Sequence, residues 1–248
     1  MSLMNQITLL INRLGEGLVE PTAYDTAWIA RIPRLNDHAK PCFPEALHYL
    51  RNNQLSDGSW GSMKPVHAQA NTLSTLSAVL ALGSWQDNDD SSHIKKGMDA
   101  LWNLAEQLTK EHHETVGFEL LLPSLLAEAR QRYLDLPYDN YCNFQSHFKE
   151  KLQLIAAYQK KVGKNMPATW WHSLEVLNTV PDDAKEILIC DINPHVLEEN
   201  GSIVASPAAT AYALLAARRE GHDLPAAEDY LKTMLKKQGG APCLCPIE

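Results

Sequence analysis

One short stretch of the sequence, residues 54–61, limits the folds that this chain can adopt. It reads QLSDGSWG and lies between two helical patterns, which run from Pro44 to Asn53 and from about Ala70 to Leu82. An Asp-Gly pair favours a turn, because glycine adopts a positive φ without steric cost and Asp can bond to its own backbone. Trp60 then offers a large apolar face and one N–H donor, which can fix the turn against neighbouring helix ends. The stretch therefore predicts a capped turn between two helices.

A similar pattern returns in the last third of the chain. Residues 197–202 read LEENGS, so a helical pattern again ends in a Gly-Ser turn. Ser206 can then cap a new helix that has Pro207 at its first position. Further helical patterns cover residues 93–110, 120–133, 143–161 and 225–240. No segment is a convincing strand, and the nearest candidate is the short run 188–192. Helix pairs joined by glycine turns predict an all-α, closed or curved array.

Composition excludes several classes of protein. The chain has 248 residues, of which 45% are hydrophobic and 21% charged, as in folded soluble proteins. A net charge of −8 argues against sequence-independent binding of nucleic acid. No apolar run is long enough to span a membrane. The five scattered cysteines form no C-x-x-C pair, which indicates reduced thiols in a cytoplasmic protein. Residues 1–14 lack a basic leader and a cleavage site, so they predict a packed helix.

Six stretches of the sequence resemble the signatures of one enzyme family, in the order of that family. They are TAYDTAWIA (22–30), QLSDGSWG (54–61), VGFELLLPSL (116–125), PATWWHSLE (167–175), NGSIVASPAATA (200–211) and GGAP (239–242). The family counterparts are SAYDTAWVA, QLxDGSWG, GFExxxPSL, PTTLLHSLE, DGSxxxSPSATA and GGxP. The sequence thus resembles the class II diterpene cyclases, in particular copalyl-diphosphate-synthase-like enzymes of the bacterial type.

The resemblance implies a fold and a domain order. These cyclases have two all-helical α-barrel domains, β and γ, and γ is inserted after the first helix of β. By this analogy residues 1–17 are the first β helix, 18–240 the γ domain and 241–248 the start of the return to β. The family protonates geranylgeranyl diphosphate with the middle Asp of a DxDD motif in β, downstream of GGxP. That region is not in this sequence, so we expect the chain alone to be inactive.

The letters DxDD do occur, at residues 87–90, but within the γ portion and between two helices. Clustered acidic residues are usually a solvated face. An alkene is a very weak base, and a solvated carboxylic acid is too weak to protonate it. We therefore expect this cluster to be structural.

The resemblance also implies residues that act at the end of the reaction. His172 occupies the position of a histidine that, in plant ent-copalyl diphosphate synthases, pairs with an Asn to bind the deprotonating water. Cys243 stands where that Asn would be, and a thiol is a poor substitute for an amide in holding water. The alternative for His172 is a packed or surface histidine.

The family binds Mg²⁺ and the substrate diphosphate just before its GFE motif. The matching candidates for metal ligands are Glu111 and Glu114, since Mg²⁺ prefers carboxylate oxygens and water. Lys149 and Lys151 lie near the position of a lysine that contacts the diphosphate. A charged helix terminus and a solvated helix face are the respective alternatives.

Two other readings of the chain stay open. One is a split cyclase in which another polypeptide supplies the β domain, and the other is a non-catalytic helical module that binds a protein or lipid partner. The first helix has an apolar face that would lack its β-domain partner, and uncovered apolar stripes mark interaction surfaces. It therefore predicts self-association into a homo-oligomer. The face consists of Leu3, Ile7, Leu10, Ile11 and Leu14.

Overall fold

The computed structural model describes eight stretches of the chain, and they are mostly helical. The stretches are residues 3–14, 19–64, 66–85, 87–108, 115–162, 168–179, 197–236 and 238–242. Their α-helices are α1 Leu3–Leu14, α2 Ala23–Ala30, α3 Pro44–Asn52, α4 Ala68–Leu82, α5 Ser91–Leu108, α6 Phe118–Gln131, α7 Cys142–Val162, α8 Pro207–Arg219 and α9 Pro225–Leu235. Shorter 3₁₀ segments span Asn88–Asp90, Tyr138–Tyr141 and Ala168–Thr179. The predicted all-α fold is confirmed, and none of these helices is both long and apolar enough to cross a membrane.

The inner helices close into a ring. Helix α2 packs against α4, α4 against α6, α6 against the 168–179 segment, that segment against α8, and α8 again against α2. Helices α3, α5, α7 and α9 pack on the outside of this ring, against α2, α4, α6 and α8 respectively. Helices α2, α4 and α8 are buried over most of their length, which is why their sequences are apolar or small on all sides.

The turn at residues 54–61 fastens three helices together, as its sequence predicts. The indole of Trp60 is fully buried, and its Nε1–H donates to the Leu50 carbonyl of α3 at 2.8 Å. The backbone N–H of Trp60 donates to the Thr75 hydroxyl of α4 at 2.9 Å. The Gln54 amide donates to the His93 carbonyl at the start of α5, also at 2.9 Å. Trp60 and the Gln54 side-chain amide thus hold the ends of α3, α4 and α5 together.

The second turn, at residues 197–203, has the same geometry. Gly58 and Gly201 both have a positive φ, of 89° and 83°. A Cβ on Gly58 would lie 2.5 Å from the Lys96 carbonyl oxygen, and one on Gly201 would lie 2.1 Å from that of Ala226. In each turn a backbone N–H also donates to a threonine hydroxyl of the following helix, at 2.9 Å. The internal repeat suggested by the sequence is therefore a structural repeat.

A small hairpin is the one departure from the helical prediction within the described residues. Strand β1, Pro33–Arg34, pairs antiparallel with β2, Asp37–Pro41. The pairing is short and irregular between Pro33 and Arg34, and most of its side chains are exposed. Because it has neither alternating burial nor a run of β-branched residues, the sequence carried no strand signal there. The other strand candidate, 188–192, lies outside the described residues.

In the first helix, the apolar side chains that the structure describes are exposed. In α1, Leu3 and Met4 are 71% and 68% exposed, and Ile7 and Leu9 are 39% and 46% exposed. The expectation of a packed helix is wrong for these four side chains, whereas the exposure of Leu3 and Ile7 agrees with an apolar face that lacks a partner. The side chains of Leu10, Ile11 and Leu14 lie outside the described residues. Leu3, Met4 and Ile7 fall on one side of the helix, since residues three and four apart are neighbours, and we call this exposed apolar surface the α1 face.

Candidate functional site

His172 lies where the N-terminal ends of α6 and α8 meet the 168–179 segment. Gly117 caps α6, and a Cβ there would be 3.9 Å from the Ser173 hydroxyl. Ser206, the cap of α8, donates its hydroxyl hydrogen to the His172 carbonyl at 3.1 Å. The imidazole is half-buried, and burial lowers its pKa. A neutral imidazole is therefore held at this end of the ring near neutral pH, where it can orient a water molecule or accept a proton.

A buried carboxyl group lies three residues further on, and sequence reasoning missed it. Glu175 is 2% exposed, and its Oε1 accepts a hydrogen bond of 2.8 Å from the Tyr24 hydroxyl. Its Oε2 is buried and has no hydrogen-bond partner among the described residues. Burial raises the pKa of Glu175 to about 8, and burial together with the Glu175 charge raises the pKa of Tyr24. The carboxyl is thus largely protonated at neutral pH.

Asp25 joins α2 to the start of α8. Its Oδ2 accepts a hydrogen bond of 2.7 Å from the Thr22 hydroxyl, and its Oδ1 accepts one of 3.2 Å from the Ala208 backbone N–H. A carboxylate at a helix N-terminus is stabilised by the free N–H groups and the helix dipole. The Thr26 hydroxyl in turn accepts from the N–H of Ala241, at 2.9 Å. Several family-like stretches therefore meet through direct contacts at this end of the ring.

The candidates for metal and diphosphate binding fall mostly outside the described residues. Glu111, Glu114 and Cys243 lie outside them, and so does the side chain of Lys149 on α7. Lys151 is half-exposed and forms an ion pair with Glu119 in the first turn of α6. No group of three or more His, Cys, Asp or Glu side chains in the described stretches could hold a metal ion.

The acidic cluster at residues 87–90 is an ion-pair site. The Arg51 guanidinium of α3 bonds both oxygens of Asp90, at 2.7 and 2.8 Å, and one oxygen of Asp87 at 2.9 Å. The Asp90 side chain is fully buried, so the expectation of a solvated face is wrong for that residue. Burial is possible there because the guanidinium neutralises the carboxylate and satisfies it bidentately. The expected structural role agrees with this arrangement.

Comparison with known proteins explains why these stretches occur together. The chain is 33% identical over 250 residues to ent-copalyl diphosphate synthase of Pisum sativum, across 99% of this chain. It superposes on abietadiene synthase from Abies grandis with a TM-score of 0.78, at 31% identity and over 96% of this chain. The homologues of this chain are diterpene synthases. Ent-copalyl diphosphate synthase from Arabidopsis thaliana is a further structural neighbour, with a TM-score of 0.72, 28% identity and 96% of this chain covered. No protein-family model matches the chain.

The diterpene synthase relatives are much longer than this chain. The chain spans 29% of the Pisum sativum enzyme, and 30% and 33% of the two solved structures. The match therefore establishes a diterpene-cyclase-like helical fold for this chain. In the relatives, the matching region is one part of a longer protein.

Proposed function

We propose that this chain is the γ-domain part of a class II diterpene cyclase. The complete enzyme would cyclise geranylgeranyl diphosphate, by protonation, to a bicyclic copalyl-type diphosphate. The observation that carries the proposal is the match over 99% of this chain to an ent-copalyl diphosphate synthase. The Arabidopsis thaliana neighbour was solved with (S)-15-aza-14,15-dihydrogeranylgeranyl thiolodiphosphate, which supports a C20 diphosphate substrate for the proposed reaction.

The acid that starts the reaction would come from a β domain, on the same or another polypeptide. Protonating an alkene requires a carboxylic acid that is protonated and desolvated. The DxDD letters at 87–90 do not provide one, because Asp87 and Asp90 are paired with Arg51 and the middle residue, Asp89, is exposed to solvent. We therefore propose that the 248-residue chain alone does not convert geranylgeranyl diphosphate, and that incubation with Mg²⁺ followed by phosphatase treatment yields no cyclic diterpenol.

His172 would act at the end of the reaction rather than at its beginning. Cyclisation leaves a cation, which must lose a proton or capture water. The lowered pKa keeps the imidazole neutral and able to accept that proton or orient a water molecule. Cys243 would lie at the partner position, where a thiol holds water poorly.

Glu111 and Glu114 are the proposed Mg²⁺ ligands, and Lys149 and Lys151 the proposed contacts of the diphosphate. Bound Mg²⁺ would neutralise diphosphate charge. The ion pair with Glu119 supports a place for Lys151 beside the first turn of α6. A diphosphate arriving there would compete with Glu119 for the ammonium group.

Product profiling in the complete β–γ protein tests the role of His172. His172→Ala should change the product, toward a hydroxylated diphosphate, more than it changes substrate consumption. Cys243→Asn should move the products the other way, toward an exocyclic alkene. His222→Ala removes an exposed imidazole and serves as the control. If both site variants give the product ratio of the parent, His172 is a structural histidine.

A split cyclase is the second candidate, and the α1 face favours it. Exposed apolar side chains on Leu3, Met4 and Ile7 suit a partner domain that docks on this helix. Mixing the chain with a separately expressed β domain should then restore cyclisation. If no β domain restores activity in trans while fusion in cis does, the split arrangement is refuted. If neither does, the chain is better explained as an interaction module.

A further inference from the structure

A cavity of 580 Å³ lies at the end of the ring opposite His172. It is bordered by the C-terminal ends of α2, α4, α6 and α8 and by the hairpin. His172 instead bonds Ser206 at the N-terminal end of α8. The 13 residues of α8 separate the two ends by roughly 20 Å at 1.5 Å per residue. The cavity is therefore distinct from the candidate site described above.

Three arginines line this cavity, and the Glu128 carboxylate pairs with two of them. Arg31 and Arg132 pair with Glu128 at 3.0 and 2.5 Å. Burial alone would raise the pKa of Glu128, but the charges of Arg31, Arg132 and Arg219 outweigh it, and the net pKa is lowered. All three guanidiniums are thus close enough to act on one carboxylate. This cluster of three arginines and Glu128 carries an excess of positive charge.

Structural roles account for only part of that charge. Arg132 donates to the Leu80 carbonyl in the last turn of α4 at 2.8 Å, and Arg31 donates to the Ser77 carbonyl of the same helix at 3.3 Å. The Arg31 side chain is 3% exposed, yet its Nε–H has no partner in the described part of the chain. Arg219 is exposed and, among the described residues, its one hydrogen-bond partner is the neutral Asn178 amide oxygen, at 2.8 Å. Within that part of the chain, one buried donor and one guanidinium without a bonded carboxylate are therefore available.

The rest of the lining is largely apolar. It includes Val79, Ile94, Leu134 and Leu215. Trp85 also borders the cavity and is held there by a 2.9 Å bond from its Nε1–H to the Ala30 carbonyl. An inorganic anion would leave this apolar surface uncovered, whereas a molecule with an apolar group could cover it and gain from its burial.

We propose that this cavity binds an organic phosphate ester. The phosphate contacts Arg219 and Arg31, and the apolar group packs against Leu134 and Leu215. Guanidinium groups match phosphate oxygens in geometry and charge, and such bonds are about twice as strong as neutral ones. The proposal does not depend on the cyclase function, since the cavity is at the other end of the ring.

Titration calorimetry with n-hexyl phosphate tests the proposal on the full chain. We expect saturable 1:1 binding that Arg219→Gln weakens about tenfold, the loss of one charge-assisted contact. Arg219→Lys keeps the charge and should weaken binding less. Lys64→Gln removes an exposed positive charge outside the cavity and should leave the affinity unchanged. Circular dichroism checks that each variant is folded.

Three results would overturn the proposal. The first is no saturable binding of n-hexyl phosphate to the parent chain. The second is an equal loss of affinity in Arg219→Gln and Lys64→Gln, which would mean general charge attraction. The third is equal affinity for inorganic phosphate and n-hexyl phosphate, which would refute the role of the apolar lining.

Discussion

The buried carboxyl of Glu175 should make the stability of this protein fall as the pH rises. Its pKa is about 8 in the folded chain, against 4.5 for an ordinary glutamate. Between these two values the unfolded chain has lost the proton and the folded chain retains it. Because the folded state then binds more protons, raising the pH favours unfolding. The change that isolates this effect is Glu175→Gln, which keeps the size of the side chain and an oxygen to accept from Tyr24.

The size of the effect follows from linkage. One proton retained only in the folded state lowers the free energy of unfolding by about 1.4 kcal/mol per pH unit. Relative to the variant, the parent should therefore lose roughly 3 kcal/mol between pH 5.5 and 7.5. The glutamine pays a constant cost of about 1–3 kcal/mol for its buried N–H donors. The variant should thus be less stable than the parent at low pH, and this difference in the free energy of unfolding should shrink as the pH rises.

Urea unfolding of parent and variant, at half-unit steps from pH 5 to 9, measures this difference. The free-energy difference should change steadily up to about pH 8 and then level off, since Glu175 is ionised in both states above its folded pKa. Glu45→Gln, which removes an exposed carboxyl in the first turn of α3, is the control for the loss of one surface charge. Parallel curves for parent and Glu175→Gln would show that the carboxyl is ionised in the fold and that this reasoning is wrong.

Three further changes test the core, the first turn and the first helix. Glu128→Ala should lower the free energy of unfolding by about 3–5 kcal/mol, because the buried Arg31 loses its carboxylate. The double replacement Arg31→Met and Glu128→Leu should recover most of that loss of stability, as measured by urea unfolding. If it does not, the loss in Glu128→Ala does not come from the broken ion pair. Trp60→Ala should lower the free energy of unfolding by about 3–5 kcal/mol, because it empties a buried site. Trp102→Ala, at a position that is 48% exposed, should change this free energy very little. Equal losses in the two variants, measured by urea unfolding, would contradict the role assigned to the turn. Ile7→Lys on the α1 face should give a more monomeric protein in sedimentation velocity, and an unchanged distribution would exclude self-association through that face.

Local signals in the sequence were sufficient to predict most of the α-helices and the cap of α8. Ser206 accepts a hydrogen bond from the backbone N–H three residues on, as its position suggested. The Asp-Gly and Asn-Gly pairs predicted turns, and both glycines have a positive φ. These features depend on residues close together in the chain, so a reading of the sequence can identify them.

Contacts between distant residues could not be predicted in this way. Tyr24 and Glu175 are 151 positions apart, and the pairing of Arg51 with Asp90 crosses 39 positions. A single glutamate such as Glu175 is usually exposed, and the sequence does not show that it is buried, because the burial comes from the other helices of the ring. For the same reason, the fully buried Asp90 looked like part of a solvated loop.

The stretches that resemble the family are stronger evidence for the fold than for catalytic activity. Tyr24 bonds Glu175, Asp25 bonds Ala208, and Ser206 bonds the carbonyl of His172, so three such stretches contact one another around the ring. A chain that had lost catalysis but kept this ring would need the same contacts and would show the same signatures. Their presence therefore argues for the fold, and for the relationship to diterpene synthases. The chemical argument instead depends on the His172 imidazole, which is the group that product profiling of the complete enzyme would test.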